Sequence, residues 1–246
     1  MKKYILFILI SITVTNNAVS QTIIAQGYCG AQGDNLTWVL TSDSVLTISG
    51  IGEMKDFVSP FGGTPVNAQW YPYRQTTKTV IIKEGVTNIG YRAFVNSSLT
   101  SIIIPNSVTT IGVCAFLNSR NLKKIIFGNG VTTIRESAFQ GCSSLTTVTI
   151  PNSVAYIADG AFHLCRNLTS VIIGNSVRTI GHGTFSSCRN LRSVTSHALL
   201  PPVLKSRVFQ EVNMRRATLH VPKESIDLYR QAEGWRNFRR IVAIEN

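Results

Sequence analysis

The clearest pattern along the chain is a short run of alternating apolar and polar residues that recurs at regular intervals. In the copy LTTVTIP, Leu145, Val148 and Ile150 are apolar, whereas Thr147 and Thr149 between them are polar. Such period-two alternation is typical of a half-buried β-strand, and the Pro-Asn-Ser that follows is typical of a turn. The next segment, VAYIADGAFHLC, spaces its apolar residues near helical periodicity, over too few residues for a long helix.

Several columns of this pattern recur with a period of 23 residues. The phenylalanine column holds Phe94, Phe116, Phe139, Phe162 and Phe185, and the leucine column holds Leu99, Leu122, Leu145, Leu168 and Leu191. A period in this range with an L-x-x-L-x-L core is typical of leucine-rich repeats, whose stacked rungs share one continuous core. We therefore predict an α/β-type solenoid: a right-handed superhelix of about five leucine-rich rungs within residues 76–200.

The two ends of the chain differ from the repeat, as capping segments should. Within residues 21–75, NLTWVLTSDSVLTISG alternates around a polar turn and predicts a β-hairpin in a β-rich N-terminal cap. Residues 201–246 predict a degenerate rung, with Phe209 in the phenylalanine column, followed by an α+β C-terminal cap. In that cap we expect a strand, a short helix after Pro222 and a second strand.

Residues 1–20 read as a secretory signal peptide. Lys2 and Lys3 precede a short apolar stretch, and Ala18-Val19-Ser20 offers a small-x-small cleavage site before Gln21. The apolar stretch is too short to span a bilayer, so we expect an exported protein that does not cross the membrane. The formal charge of +12 falls to +10 once the two lysines are removed. This excess favours anionic partners, while export argues against a cytosolic nucleic-acid partner.

The repeat resembles the BspA-like leucine-rich repeat family of bacterial surface and secreted proteins. Its motif, V-x-x-I-G-x-x-A-F-x-x-C-x-x-L-x-x-V-x-I-P-x-S, is met best at residues 131–153 and 154–176, where Arg135 and Ala158 replace the glycine. The opening CGAQGDNLTWVLTSDSVLTISGIGEM and the ending HVPKESIDLYRQAEGWRNF resemble the family's terminal segments. The resemblance implies adhesion to host matrix proteins or other cells, and it transfers no binding residue to this chain.

Three of the five cysteines, Cys142, Cys165 and Cys188, occupy one column of the repeat. A nearly straight row of sulfurs cannot surround a tetrahedral zinc ion, and no histidine or base recurs beside it. A disulfide between rungs would fit the spacing but would leave one thiol unpaired, so we interpret the column as small buried side chains. A bridge between Cys29 and Cys114 stays open. The chain carries no catalytic, metal or cofactor fingerprint, and we expect no enzyme.

Two surfaces are candidates for binding. The outward strand positions predict a nearly flat ligand face of hydroxyls and isoleucines, which suits a protein or glycan better than a small molecule. This ligand face comprises Ser101, Ile103, Lys124, Ile126, Thr147, Thr149, Ser170, Ile172, Ser193 and Thr195. Good strand formers would give the same pattern without any ligand.

The second surface is a basic edge beside the leucine column, and it comprises Arg120, Lys123, Arg166, Arg189 and Arg192. It is either a site for anionic glycans or acidic proteins, or an ordinary solvated surface. The sequence thus predicts a secreted or cell-surface protein that recognises a host or matrix protein through its solenoid face, without catalysis. The alternative is an accessory protein that binds anionic polysaccharide through the basic edge. The oligomeric state stays open.

Overall fold

A computed structural model of the protein describes residues 21–57 and 68–245; the predicted signal peptide lies outside these residues. The N-terminal sheet has the strands β1 (Ile23–Gly30), β2 (Gly33–Thr41), β3 (Val45–Gly50) and β4 (Thr79–Ile82). β1, β2 and β3 pair antiparallel, and β3 then pairs parallel with β4. The predicted hairpin is β2–β3, and its turn is closed by Ser44 N, which donates to Thr41 O at 2.9 Å.

Each rung of the repeat contributes one longer and one shorter strand. The longer strands are β6 (Ser101–Ile103), β8 (Lys124–Ile126), β10 (Thr147–Ile150), β12 (Ser170–Ile173), β14 (Ser193–Ser196), β16 (Thr218–Val221) and β17 (Arg240–Ala243). The shorter strands are β5 (Asn88–Ile89), β7 (Thr110–Ile111), β9 (Thr133–Ile134), β11 (Tyr156–Ile157), β13 (Thr179–Ile180) and β15 (Val203–Leu204). The shorter strands pair parallel and in register from β5 to β15, and the longer strands do so between β6 and β8 and from β10 to β17, so the chain forms a β-solenoid.

The near-helical apolar spacing of the return segments forms no helix in the rungs that the structure describes, so the solenoid is β rather than the α/β type predicted. The return segments are series of turns. Phe116 N donates to Ala138 O at 2.7 Å, and Phe139 N donates to Ala161 O at 2.8 Å, in each case in the following rung. An α-helix needs those N–H groups for the carbonyl four residues earlier. Bonds between rungs therefore replace bonds within a helix.

The return segments also need residues with left-handed backbone conformation. One such column runs through Cys114 (φ 55°), Ser137 (φ 53°), Gly160 (φ 62°) and Gly183 (φ 60°). This conformation interrupts a right-handed helix and costs an L-residue roughly 1–2 kcal/mol. Cys114 thus occupies a backbone position that favours glycine, and this is why two later rungs have glycine there.

A stack of aromatic rings runs through the core. It begins at Trp70 and continues through the phenylalanine column, with ring centroids 5.0–5.8 Å apart, to Phe209, which takes the place predicted for it. Edge-on rings close both ends: Trp38 and Phe57 against Trp70, and Trp235 and Phe238 against Phe209. Edge-to-face contact is a favourable geometry for aromatic pairs, so these rings end the stack without leaving an open face.

The C-terminal segment has the predicted strand, short helix and strand. β16 is followed by a 3₁₀ turn at Lys223–Ser225, the helix α1 (Ile226–Gln231), a second 3₁₀ turn at Trp235–Asn237, and β17. Trp235 is fully buried, and its Nε1 donates to Pro202 O at 2.7 Å. β17 pairs with β16 and extends the sheet of longer strands by one.

Candidate ligand-binding face

The predicted ligand face lies on the outer surface of the longer strands. In β10, Val148 and Ile150 are buried, whereas Thr147 and Thr149 are exposed. The other outward residues, on β6, β8, β12 and β14, are also exposed or half-buried. Two apolar side chains are left in solvent, since Ile103 is 63% exposed and Ile126 is 42% exposed. The face therefore offers both hydroxyl groups and apolar contact area.

The sheet of longer strands is interrupted between β8 and β10. β6 pairs with β8, and β10 pairs with β12, but β8 and β10 share no ladder in the described part of the chain. The two rungs touch on either side of the interruption: Ser144 N donates to Arg120 O at 3.1 Å, and Ser153 Oγ donates to Val131 O at 2.6 Å. They separate only between these contacts. We call this opening, between residues 123–129 and 146–152, the strand gap.

Phe127 lies at the strand gap. The equivalent residues of three other rungs, Ile104, Ile150 and Ile173, are buried isoleucines, and Ser196 takes this position in β14. The Phe127 side chain is half-buried and meets the Phe139 ring edge-on, with centroids 5.7 Å apart. A phenyl ring is larger than an isoleucine side chain, and paired strands leave only about 4.8 Å between rungs. The ring fills space between the two rungs that an isoleucine would leave free. Within the described residues β4 and β6 share no ladder either, although Ile82 and Ile104 take this position there.

A groove of about 1010 Å³ lies over the strand gap. Five residues of the predicted ligand face line it: Lys124, Ile126, Thr147, Thr149 and Ile172. The other five, Ser101, Ile103, Ser170, Ser193 and Thr195, lie outside its lining. Half of the predicted face is thus gathered around one opening in the sheet, and the rest lies on the paired strands beside it.

The groove also contains residues that the sequence reasoning missed. Asn129, Asn152, Asn175 and His197 line it beyond the ends of the strands, and Phe127 lies within it. The asparagines form a column in which one carboxamide oxygen accepts the next backbone N–H, as from Asn175 N to Asn152 Oδ1 at 2.9 Å. No such bond joins Asn152 to Asn129 among the described residues. The phenylalanine in an isoleucine column was the signal in the sequence that could have located the groove.

The residues of the predicted basic edge are exposed, but they differ in their surroundings. Arg120 and Arg166 line one shallow depression of about 210 Å³, together with Asn118 and Ser143. Lys123 and Arg192 are exposed nearby, and Arg192 Nη1 donates to backbone carbonyls at 3.0–3.1 Å.

Arg189 has a partner that the column did not reveal. Glu211, in the following rung, accepts two bonds from the Arg189 guanidinium, at 2.8 and 3.0 Å. The side-chain hydrogen bond and the charge of Arg189 hold the pKa of the Glu211 carboxyl below its usual value. Glu211 therefore offsets the Arg189 charge, whereas Arg120, Lys123, Arg166 and Arg192 have no acidic partner among the described residues.

Six copies of the model for the BspA type leucine rich repeat region match residues 87–216. The chain belongs to this BspA-type leucine-rich repeat family. Comparison with curated proteins gives no significant match. Solved structures similar to this chain include leucine-rich repeat proteins, a leucine rich cell surface protein and a vaccine antigen.

Three of these structures illustrate the range of sequence identity and coverage. The leucine-rich repeat protein TpLRR of T. pallidum is 28% identical over 65% of this chain and 68% of its own, with a TM-score of 0.44. A leucine-rich repeat protein of Bacteroides ovatus is 14% identical over 93% of this chain and 77% of its own, with a TM-score of 0.47. The pneumococcal vaccine antigen PcpA is 14% identical over 92% of this chain and 99% of its own, with a TM-score of 0.36.

In this BspA-type chain, the cysteine column is buried and reduced. Cys142, Cys165 and Cys188 are fully buried free thiols, so the disulfide between rungs is not formed. Each Sγ donates to the carbonyl of a phenylalanine in the preceding rung at 3.3 Å, which adds a bonding role to the predicted packing role. Burial raises the pKa of Cys142 and Cys188 to about 12. Such thiols are not nucleophiles at neutral pH.

Cys29 and Cys114 are free thiols as well, so the bridge left open by the sequence is not formed. Cys29 is buried, and burial raises its pKa to about 12. Cys114 is half-buried, in the left-handed column described above, and desolvation also raises its pKa.

The histidine and carboxylate side chains of the rungs make structural contacts. Asp159 Oδ1 accepts the backbone N–H of His182 at 2.7 Å, and the His182 ring Nδ1 lies 2.6 Å from Ser206 Oγ. Because Asp159 bonds the backbone, it does not orient the imidazole as a third member of a nucleophile–base set would. In residues 21–57 and 68–245, no cluster of His, Cys, Asp and Glu could hold a metal ion, and no helix is long and apolar enough to cross a membrane.

Proposed function

We propose that this BspA-type protein is a secreted or cell-surface binding protein that recognises an extracellular protein, of a host or of its matrix, without catalysis. The observation that supports this most directly is the strand-gap groove. It gathers residues of β8, β10 and β12 around one opening, and it combines hydroxyl, carboxamide and apolar side chains. An open groove of this mixed chemistry suits a polypeptide surface better than a small molecule, which favours an enclosed pocket.

Binding would be additive over several rungs. The exposed Ile103 and Ile126 would supply apolar contact area, and the hydroxyls of Thr147 and Thr149 would supply hydrogen bonds. The positive charge of the chain would raise the association rate with acidic partners.

The test is a panel of immobilised extracellular-matrix proteins beside a glycan array, probed with the mature protein. Thr149→Arg places a large charge on the face, and Ala155→Arg places the same charge at an exposed position next to β11. We expect a protein ligand whose binding falls at least about tenfold with Thr149→Arg and stays within about twofold with Ala155→Arg. Equal effects of the two variants, or glycan ligands alone, would contradict the proposal.

The same proposal assigns capping roles to residues 21–75 and 201–246, around a right-handed solenoid that comprises residues 76–200. The edge-on rings of Trp38, Phe57, Trp235 and Phe238 support the capping roles, since they cover the terminal rings of the aromatic stack. Deletion of residues 217–246 would then expose Phe209, and we expect the truncated protein to aggregate.

A second candidate function, binding of anionic polysaccharide, is favoured by the depression between Arg120 and Arg166. The test compares heparin retention of the variant Arg120→Ser/Arg166→Ser with that of Arg215→Ser/Arg216→Ser, which removes the same charge from an exposed site elsewhere. A specific site predicts earlier elution of the first variant at every salt concentration. Equal elution of the two variants would leave only nonspecific attraction.

A further inference from the structure

The return segments of the solenoid end in a row of backbone donors. In each regular rung, alternate N–H groups of the return segment donate to carbonyls of the following rung, as from Phe185 N to Val208 O at 3.0 Å. Residues 206–211 form the last return segment that the structure describes. The N–H groups at its donating positions are those of Arg207, Phe209 and Glu211, and they have no acceptor among the described residues. Such groups need a partner from outside the chain, either water or a ligand.

The C-terminal cap leaves open space beside these donors. Its edge-on rings cover the Phe209 ring, but a groove of about 580 Å³ lies between residues 204–210 and residues 233–237 of the cap. We call this groove the end groove, and Arg207 and Phe209 line it. In the earlier rungs the equivalent N–H groups donate toward the following rung, which is the side on which the end groove lies. The N–H groups of Arg207 and Phe209 therefore face the end groove.

The end groove carries an excess of positive charge. Lys205, Arg207 and Arg236 line it, and Glu233 is the one acidic residue among the described residues of its lining. All four are exposed. The nearby Glu211 carboxylate is already bonded to the preceding rung, so it does not occupy the groove. Three cations against one carboxylate attract an anion to the place where the two backbone donors lie.

We propose that the end groove binds an oxyanion, which is a sulfate, phosphate or carboxylate group of an extracellular ligand. Its oxygens accept the N–H groups of Arg207 and Phe209, while Lys205 and Arg236 offset its charge. Backbone N–H groups of turns form concavities that bind anions, and Arg207 has the left-handed conformation, with φ 61°, that occurs in them. Bonds from N–H to an anion are roughly twice as strong as bonds between neutral groups. The end groove is separate from the strand gap, so this inference goes beyond the proposed protein-binding function.

The first experiment titrates the ¹⁵N-labelled mature protein with sodium sulfate, sodium phosphate or sodium acetate at constant ionic strength. Two-dimensional NMR follows each backbone amide. We expect the amide protons of Arg207 and Phe209 to shift downfield and to saturate with at least one of the ions, because bonds to an anion replace bonds to water. The ion with the lowest Kd identifies the preferred group. Saturation with none of them, or equal shifts at exposed amides elsewhere, would overturn the site.

The second experiment removes the charge and keeps the backbone. Lys205→Gln/Arg236→Gln takes two cations from the end groove. Lys83→Gln/Arg178→Gln is the matched control, because it takes one lysine and one arginine from exposed positions outside the lining. We expect the Kd of the preferred ion to rise at least about fivefold in the first variant and to stay within about twofold in the control. Equal effects would show only attraction by the net charge and would overturn the proposal.

The third experiment tests whether the group is bound as part of a larger ligand. Glucose 6-sulfate, glucose 6-phosphate and glucuronate carry the three groups on a sugar. The sugar with the preferred group should shift the same two amides with a Kd no higher than that of the free ion. A clearly higher Kd would overturn a ligand-borne group. None of these titrations uses a protein ligand, so their failure leaves the proposed protein-binding function intact, and failure of the matrix-protein panel leaves the end groove intact.

Discussion

The aromatic stack gives a sharp test of how the rungs stabilise one another. Phe139 lies at its centre, fully buried, with its ring centroid 5.0 Å from Phe116 and 5.3 Å from Phe162. Phe127 contacts the same ring edge-on at 5.7 Å. Phe139→Ala removes all three contacts and leaves a cavity between two rungs.

Phe139→Ala is expected to lower the free energy of unfolding by several kcal/mol. Phe-to-Ala replacement in a core costs about 3–5 kcal/mol, and each aromatic pair contributes about 0.5–1.5 kcal/mol of such a total. Phe139→Leu keeps an apolar side chain and should cost clearly less, about 1–2 kcal/mol. In a solenoid each rung is stabilised mainly by its neighbours, so the weak interface should let the two halves unfold separately.

The three tryptophans report on the two halves. Trp38 and Trp70 lie on the N-terminal side of Phe139, and Trp235 lies on the C-terminal side. With 5-fluorotryptophan incorporated, ¹⁹F NMR follows each of them through a urea titration without further mutation. We expect coincident midpoints in wild type, and lower, separated midpoints in Phe139→Ala. If Phe139→Ala lowers the free energy of unfolding by less than about 1.5 kcal/mol, or by as much as Phe139→Leu does, the proposed role of the stacked rings is refuted.

Three further predictions concern the column residues and acid stability. Cys165→Ser should retain the bond to the Phe139 carbonyl and cost about 0.5–1.5 kcal/mol less than Cys165→Ala, which leaves that carbonyl with the backbone N–H of Cys142 as its donor; chemical denaturation compares the two. Gly183→Ala should cost about 1–2 kcal/mol from its left-handed backbone alone, because an added Cβ meets only one side chain, at 3.8 Å. Gly183→Asn should cost less, because asparagine tolerates the left-handed conformation better than alanine. Backbone N–H groups lower the pKa of the Glu84 carboxyl below 4.5, so the stability that Glu84 contributes is present above that pH and is lost as the pH falls further. Scanning calorimetry of Glu84→Gln should therefore show a smaller fall of Tm on acidification, and an unchanged slope of Tm against pH would contradict this.

The repeat could be predicted in detail because its signal is recorded five times. Registration of the phenylalanine and leucine columns is enough to specify parallel, in-register rungs, since a slip of one residue would place the apolar set in solvent. The outward positions of the ligand face follow from the same alternation. Cys142 shows the limit of this reasoning: its burial was predictable, but its hydrogen bond to the Phe116 carbonyl was not.

Other features depend on contacts between residues far apart in the chain. The return segments have near-helical apolar spacing, but their N–H groups bond the next rung, and this overrides the local preference for a helix. Glu211 pairs with Arg189 because two neighbouring rungs bring them together, and neither residue's own column contains that information.

The sequence alone determined the rung, its period, the inward and outward faces, and the aromatic residues available to close the stack, because each depends on local alternation repeated many times. The tertiary structure decided where the sheet opens. Phe127 lies between two stacked rungs, and its contact with Phe139 depends on the spacing between those rungs, which no single rung specifies. The strand gap, and the groove formed over it, exist only once β8 and β10 are placed side by side.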